Sequence, residues 1–119
     1  MANPNIVNVT TIYGKTAVLA VTTSAQTIVS NSAGSGKIVK VNVLSLANID
    51  GSTAVDATVD IYRSSVAYKL LSTVSVPSDS TLVAISKDTS IYLEEGDSLR
   101  VTASANSDLS AVCSYEEIS

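Results

Sequence analysis

Three carboxylates crowd one glycine late in the chain, in the run Glu94, Glu95, Gly96, Asp97. Such a cluster could hold a cation, or could do acid and base work if two of the groups titrated apart in a shared cleft. In a tight turn between two strands, however, carboxylates point into water, and these three are expected to be solvated. Glu116 and Glu117 are read the same way. Gly34-Ser35-Gly36-Lys37 has the texture of a phosphate-binding loop. Asn31 stands where the first glycine of that motif belongs, and Ile38 where its Ser or Thr belongs, so the segment is expected to be a hairpin connection. Asn48, Asp50 and Ser52 have the alternate spacing that opens a calcium loop, but the later ligands are missing and an Asp-Gly turn is expected. The chain has 20 serines, none in a Gly-x-Ser-x-Gly elbow, and no histidine to serve as a base. Cys113 is the one cysteine; it shares the alternation phase of Leu109, Ala111 and Tyr115 and is expected to be a buried small hydrophobe. No catalytic, cofactor-binding or metal-ligating residue can be nominated, and the expectation is a protein that is not an enzyme.

The aromatic residues are five tyrosines, with no Trp or Phe. Tyrosine suits contact surfaces because it buries a large ring while keeping a hydroxyl wet. Tyr13, Tyr62, Tyr68 and Tyr92 are therefore the candidate interface residues, Tyr62 because it falls on the polar phase of its strand.

The elements that must carry these residues are strands. Val, Ile and Thr number 37 of 119 residues, and β-branched side chains favour a pleated surface over a helix. Val55, Ala57, Val59 and Ile61 alternate with Asp56, Thr58, Asp60 and Tyr62; Leu99, Val101, Ala103 and Ala105 alternate with Arg100, Thr102 and Ser104. Period-2 alternation marks half-buried strands. Lys37 to Ala47 slips phase, from Val39, Val41 and Val43 to Leu44 and Leu46, which calls for a β-bulge or burial on both faces. Further strands are expected at 6–12, 16–22, 27–29, 66–76, 81–86, 91–93 and 109–115, with turns at Gly14, Gly34 to Gly36, Asp50-Gly51, Ser64-Ser65, Pro77 to Asp79, Gly96 and Asn106 to Asp108. The expected fold is a single all-β domain, an antiparallel β-sandwich of about eight or nine short strands, jelly-roll-like or immunoglobulin-like. Residues 1–5 are too polar to join a core and are expected to form an N-terminal arm that orders on a neighbour.

Formal charge is +3 over residues 1–49 and −7 over residues 50–119, which sums to the net −4. Mixing of strands from both halves is expected to erase this asymmetry in space. An acidic chain without a basic cluster is not expected to bind nucleic acid. No apolar run reaches the length of a bilayer span, so no membrane partner is expected. The first residues lack the basic head and apolar core of a secretory leader, which predicts synthesis and folding in a cytoplasm.

Five segments together carry a resemblance: Ile12-Tyr13-Gly14-Lys15-Thr16, Asn48-Ile49-Asp50-Gly51, Val59 through Ser65, Ile85 through Leu99, and Cys113 through Ile118. Across nearly the whole chain they resemble the small virion structural proteins of tailed bacteriophages, especially phages of marine cyanobacteria. The resemblance implies a structural role in the virion. Two locations follow from it: a capsid decoration or cement protein bracing the head against the major capsid protein, or a neck, tail or fibre-associated part. Composition adds a further expectation, a homo-oligomer or docking on other virion proteins through strand edges, terminal segments and exposed tyrosines, because bare strand edges invite pairing and the chain carries few Lys, Glu or Pro to blunt them. A reading of a different class is a carbohydrate-binding module, for which the absence of Trp is unfavourable.

Overall fold

The computed structural model describes residues 3–119, and its regular structure is nine strands and one short 3-10 turn, Lys87–Thr89. The strands are β1 (Ile12–Val21), β2 (Gln26–Ser30), β3 (Ile38–Asn48), β4 (Val55–Arg63), β5 (Val66–Val76), β6 (Thr81–Ile85), β7 (Ile91–Leu93), β8 (Ser98–Ala103) and β9 (Leu109–Ile118). One sheet, here sheet A, runs β1-β9-β3-β6, with β7 also on β3; the other, sheet B, runs β2-β8-β4-β5. Every pairing is antiparallel.

The pairing is nested. β1 lies against β9, β2 against β8, β3 against β6 and β7, and β4 against β5, as in one long hairpin rolled up on itself. This is jelly-roll connectivity, and it sets aside the immunoglobulin-like alternative. Connections cross between the sheets except β4–β5, a true hairpin, and β6–β7, which continue along one edge.

The core forms where inward phases of the two sheets meet. Val39, Val41, Leu44, Leu46, Leu93, Leu109, Ala111 and Cys113 come from sheet A; Val29, Val55, Ala57, Val59, Val76, Leu99, Val101 and Ala103 come from sheet B. Each fully buried Val or Leu contributes roughly 1.5–3 kcal/mol by leaving water. The phase slip in β3 is a bulge between Val41 and Val43. Its effect differs from a change of face: the extra residue returns Leu44 and Leu46 to the same inner side as Val39 and Val41.

Three local expectations are corrected. Residues 6–11 are not strand; the Asn5 side chain accepts the Val7 N–H at 3.0 Å and the Asn5 carbonyl accepts the Asn8 N–H at 3.0 Å, so a side chain closes a turn where alternation suggested extension. β1 instead starts at Ile12 and runs through Gly14. The Gly34 to Lys37 segment is not a hairpin connection, because β2 and β3 belong to different sheets. Of the expected arm, Met1 and Ala2 lie outside the described residues, and Asn3 donates to the Glu94 carboxylate at 2.8 Å.

Candidate functional site

The turn at Glu94 to Asp97 crosses from β7 in sheet A to β8 in sheet B, so it caps one end of the sandwich rather than protruding from it. That geometry overturns the solvated reading of Asp97, which is only 2% exposed. The Arg63 Nε donates to one Asp97 oxygen at 2.7 Å, and a terminal guanidinium nitrogen donates to the other and to Glu94, the last at 2.9 Å. The Glu94 N–H adds a bond to Asp97 at 2.9 Å. Burial raises the Asp97 pKa, and the Arg63 hydrogen bonds and charge, with the Glu94 N–H, outweigh it and hold the group below the usual carboxylate value. Glu95 turns the other way, accepting the Gly36 N–H at 3.3 Å.

Two buried asparagines hold the crossovers that flank β3. The Asn31 amide donates to the carbonyls of Lys37 and Leu93, both at 2.9 Å, and its backbone exchanges bonds with Gly96 and Asp97. The Asn48 amide donates to Thr53 and Val76 carbonyls at 3.0 and 2.9 Å. Beside it the chain bends at Gly51 and Ser52 as it crosses from β3 to β4, and the Asp50 side chain, not a backbone bond, closes the turn expected there. The Asp50 carboxylate accepts the Thr53 hydroxyl, the Ser52 N–H and the Ser52 hydroxyl, which lower its pKa to about 2. These side chains are consumed in holding loops.

Asp60 is a second correction. Alternation places it on the outward side of sheet B, yet it is 1% exposed, because Arg100 lies directly across on β8 and donates to it at 2.8 Å. The Arg100 guanidinium in turn sits 4.0 Å from the centre of the Tyr62 ring, a cation–π contact. Glu117 is also paired rather than free in water, with Lys15 at 2.9 Å and Lys37 at 3.8 Å. Both lysines come from the basic first half of the chain and Glu117 from the acidic second, so strand pairing brings opposite charges together at this point. Cys113 is buried, and loss of solvation pushes its thiol up to about 12.

The four candidate tyrosines do not converge. Tyr13 is exposed on the edge strand β1 and Tyr68 on the opposite edge strand β5; Tyr92 is exposed on the outer side of sheet A, and Tyr62 lies on the outer side of sheet B beneath Arg100. Tyr68 joins Ile61 and Arg63 in lining an open cavity of about 240 Å³ at the β4–β5 end. Val66, Leu70 and Val74 are exposed along the same edge strand. The residues that sequence reasoning did not nominate are Arg63, Asp60, Arg100 and the two asparagines. The partners of these side chains lie up to 62 residues away, as for Asn31 and Leu93, and no local pattern announces such contacts.

Among the described residues no three of His, Cys, Asp and Glu are grouped as a metal-ligand set, and no helix is long and apolar enough to cross a membrane. No protein-family model matches the chain, and no curated protein sequence matches it.

Proposed function

We infer that this chain is a non-enzymatic structural part of a bacteriophage particle, a decoration protein that braces the head by surface contact with shell subunits. The observation that carries the reading is the dispersal of contact residues. Tyr13, Tyr68 and Tyr92 are exposed on three different sides of the sandwich, and apolar side chains line the edge strand β5. A part wedged among several neighbours needs contacts on several sides, whereas catalysis needs groups converging on one point. The ionic groups support the same reading, because Arg63 with Asp97, Arg100 with Asp60, and Lys15 with Glu117 are engaged in bracing the domain itself. The resemblance of the Ile85 to Leu99 region to tailed-phage virion proteins supplies the setting.

Copy number tests the location. Quantitative mass spectrometry of purified particles should find the chain in hundreds of copies per head, and heads stripped of it should rupture at lower temperature until the protein is added back. A few dozen copies or fewer would overturn decoration of the shell and favour the neck or tail. The cavity beside Tyr68 favours one second reading, a weak sugar site with Tyr68 as its platform. A glycan array that stays blank at millimolar protein would dispose of it.

A further inference from the structure

The outer side of sheet A is a neutral surface across all four strands. Register places Val18, Val112, Ser45 and Val83 in one row, Ala20, Ser110, Ala47 and Thr81 in the next, and Thr16, Ser114 and Val43 on the other side. No position in these rows carries a charge, and Val18, Val112 and Val83 are 75%, 41% and 56% exposed. One row further on stand Gly14, Glu116, Lys40 and Tyr92.

We propose that this face binds a second copy of the chain about a two-fold axis running along the strands between β9 and β3. A two-fold interface demands self-complementarity, and this face has it. That axis sets β9 of one copy over β3 of the other, and β1 over β6 and β7. Glu116 then faces Lys40 of the other copy twice over, Val18 faces Val83, and Val112 faces Ser45. Tyr92 faces Gly14, where a Cβ would have nothing within 4 Å, so the ring has room to seat. A strongly charged partner would find nothing to pair with in the three uncharged rows, while a second copy meets no like charge. Four strands about 4.8 Å apart and seven residues long, Gly14 to Ala20 on β1, cover roughly 450 Å² in plan, and side-chain relief adds to this. The lower end of stable interfaces is about 600 Å² per partner, so a dimer that dissociates in the micromolar range is expected.

This inference rests on the reading of the chain as an assembly part, and the test separates the two. Sedimentation of the full chain over a roughly hundredfold micromolar concentration range should show a monomer–dimer equilibrium. Val18→Lys should weaken it about tenfold or more without changing the far-ultraviolet spectrum or melting temperature of the monomer, since Val18 projects into water. Adding Val83→Glu to Val18→Lys should restore association, because the two new charges meet only across the proposed axis. A strict monomer, a dimer indifferent to Val18→Lys, or a double variant that stays monomeric would each overturn the proposal. So would a wild-type monomer whose binding to phage heads is lost in Val18→Lys, which would give the face to another protein. Head binding, measured separately, judges the structural role: a dimer that ignores heads leaves this interface standing and removes that role.

Discussion

Asp97 joins two loops that close one end of the sandwich, and its neighbour in kind, Asp60, is sealed on the outside of sheet B. The two differ in what surrounds their cations. The side chain of Arg63 is 45% exposed and loses little if Asp97 stops being charged, whereas that of Arg100 is only 21% exposed. Asp97→Asn should therefore cost about 1–2 kcal/mol, and Asp60→Ala about 2–4 kcal/mol, because it strands a less hydrated guanidinium. Urea titration of both variants checks the order; an Asp97→Asn loss larger than that of Asp60→Ala would contradict the account. Cys113 gives a second residue-level expectation. With its thiol raised to about 12 by burial, it should resist aromatic disulfide reagents in the folded protein and react at once in denaturant. Rapid labelling of native protein would mean the core opens far more readily than its packing implies. The burial of Cys113 was legible from its alternation phase, while that of Asp60 was not. Alternation says which side of a strand a residue faces, and the ion pair that seals Asp60 is made with a residue 40 positions away.

At the scale of elements, the β4–β5 hairpin is the clearest place to intervene. Arg63 pairs with Val66 across Ser64 and Ser65, whose φ values are 51° and 63°. Both central residues thus occupy the left-handed region, which a two-residue turn of this kind demands and which serine adopts at a cost. Ser64→Asn with Ser65→Gly should stabilise the fold by about 1 kcal/mol and raise the melting temperature by roughly 3–6 °C; an unchanged or lower melting temperature would refute the strain. Strand existence was largely legible: β5 was expected over the residues it occupies, and β2, β6, β7 and β8 lie within two or three residues of their expected bounds. What the chain did not reveal locally was which turns reverse within a sheet and which cross between sheets, because Gly, Asp, Asn and Ser serve both. Asp97 was misread for that reason, since a crossover turn packs against the end of the sandwich while a hairpin turn stands in water. The candidate site was less legible still, because the tyrosines were visible as residues while their separation onto different sides depends on the rolled topology.

For the molecule as a whole, acid is the informative variable. Asp50, Asp97 and Glu117 all hold protons less tightly folded than unfolded, Glu117 chiefly through its hydrogen bond from Lys15. Their contribution is complete above the ordinary carboxylate range near pH ~4 and fades as pH falls toward the depressed folded values. The urea midpoint should be flat from neutral pH to about pH 5 and then decline, and Asp97→Asn should make the decline shallower. A midpoint that holds constant to pH 2 would remove these groups from the stability of the fold. The nested pairing has a last consequence, for synthesis. β9 is made after every other described strand yet lies between β1 and β3, so sheet A has no continuous centre until that strand has been made. β1 waits for it while strands β2 to β8 are made, unpaired along its length, so sheet A is completed in a single late closure.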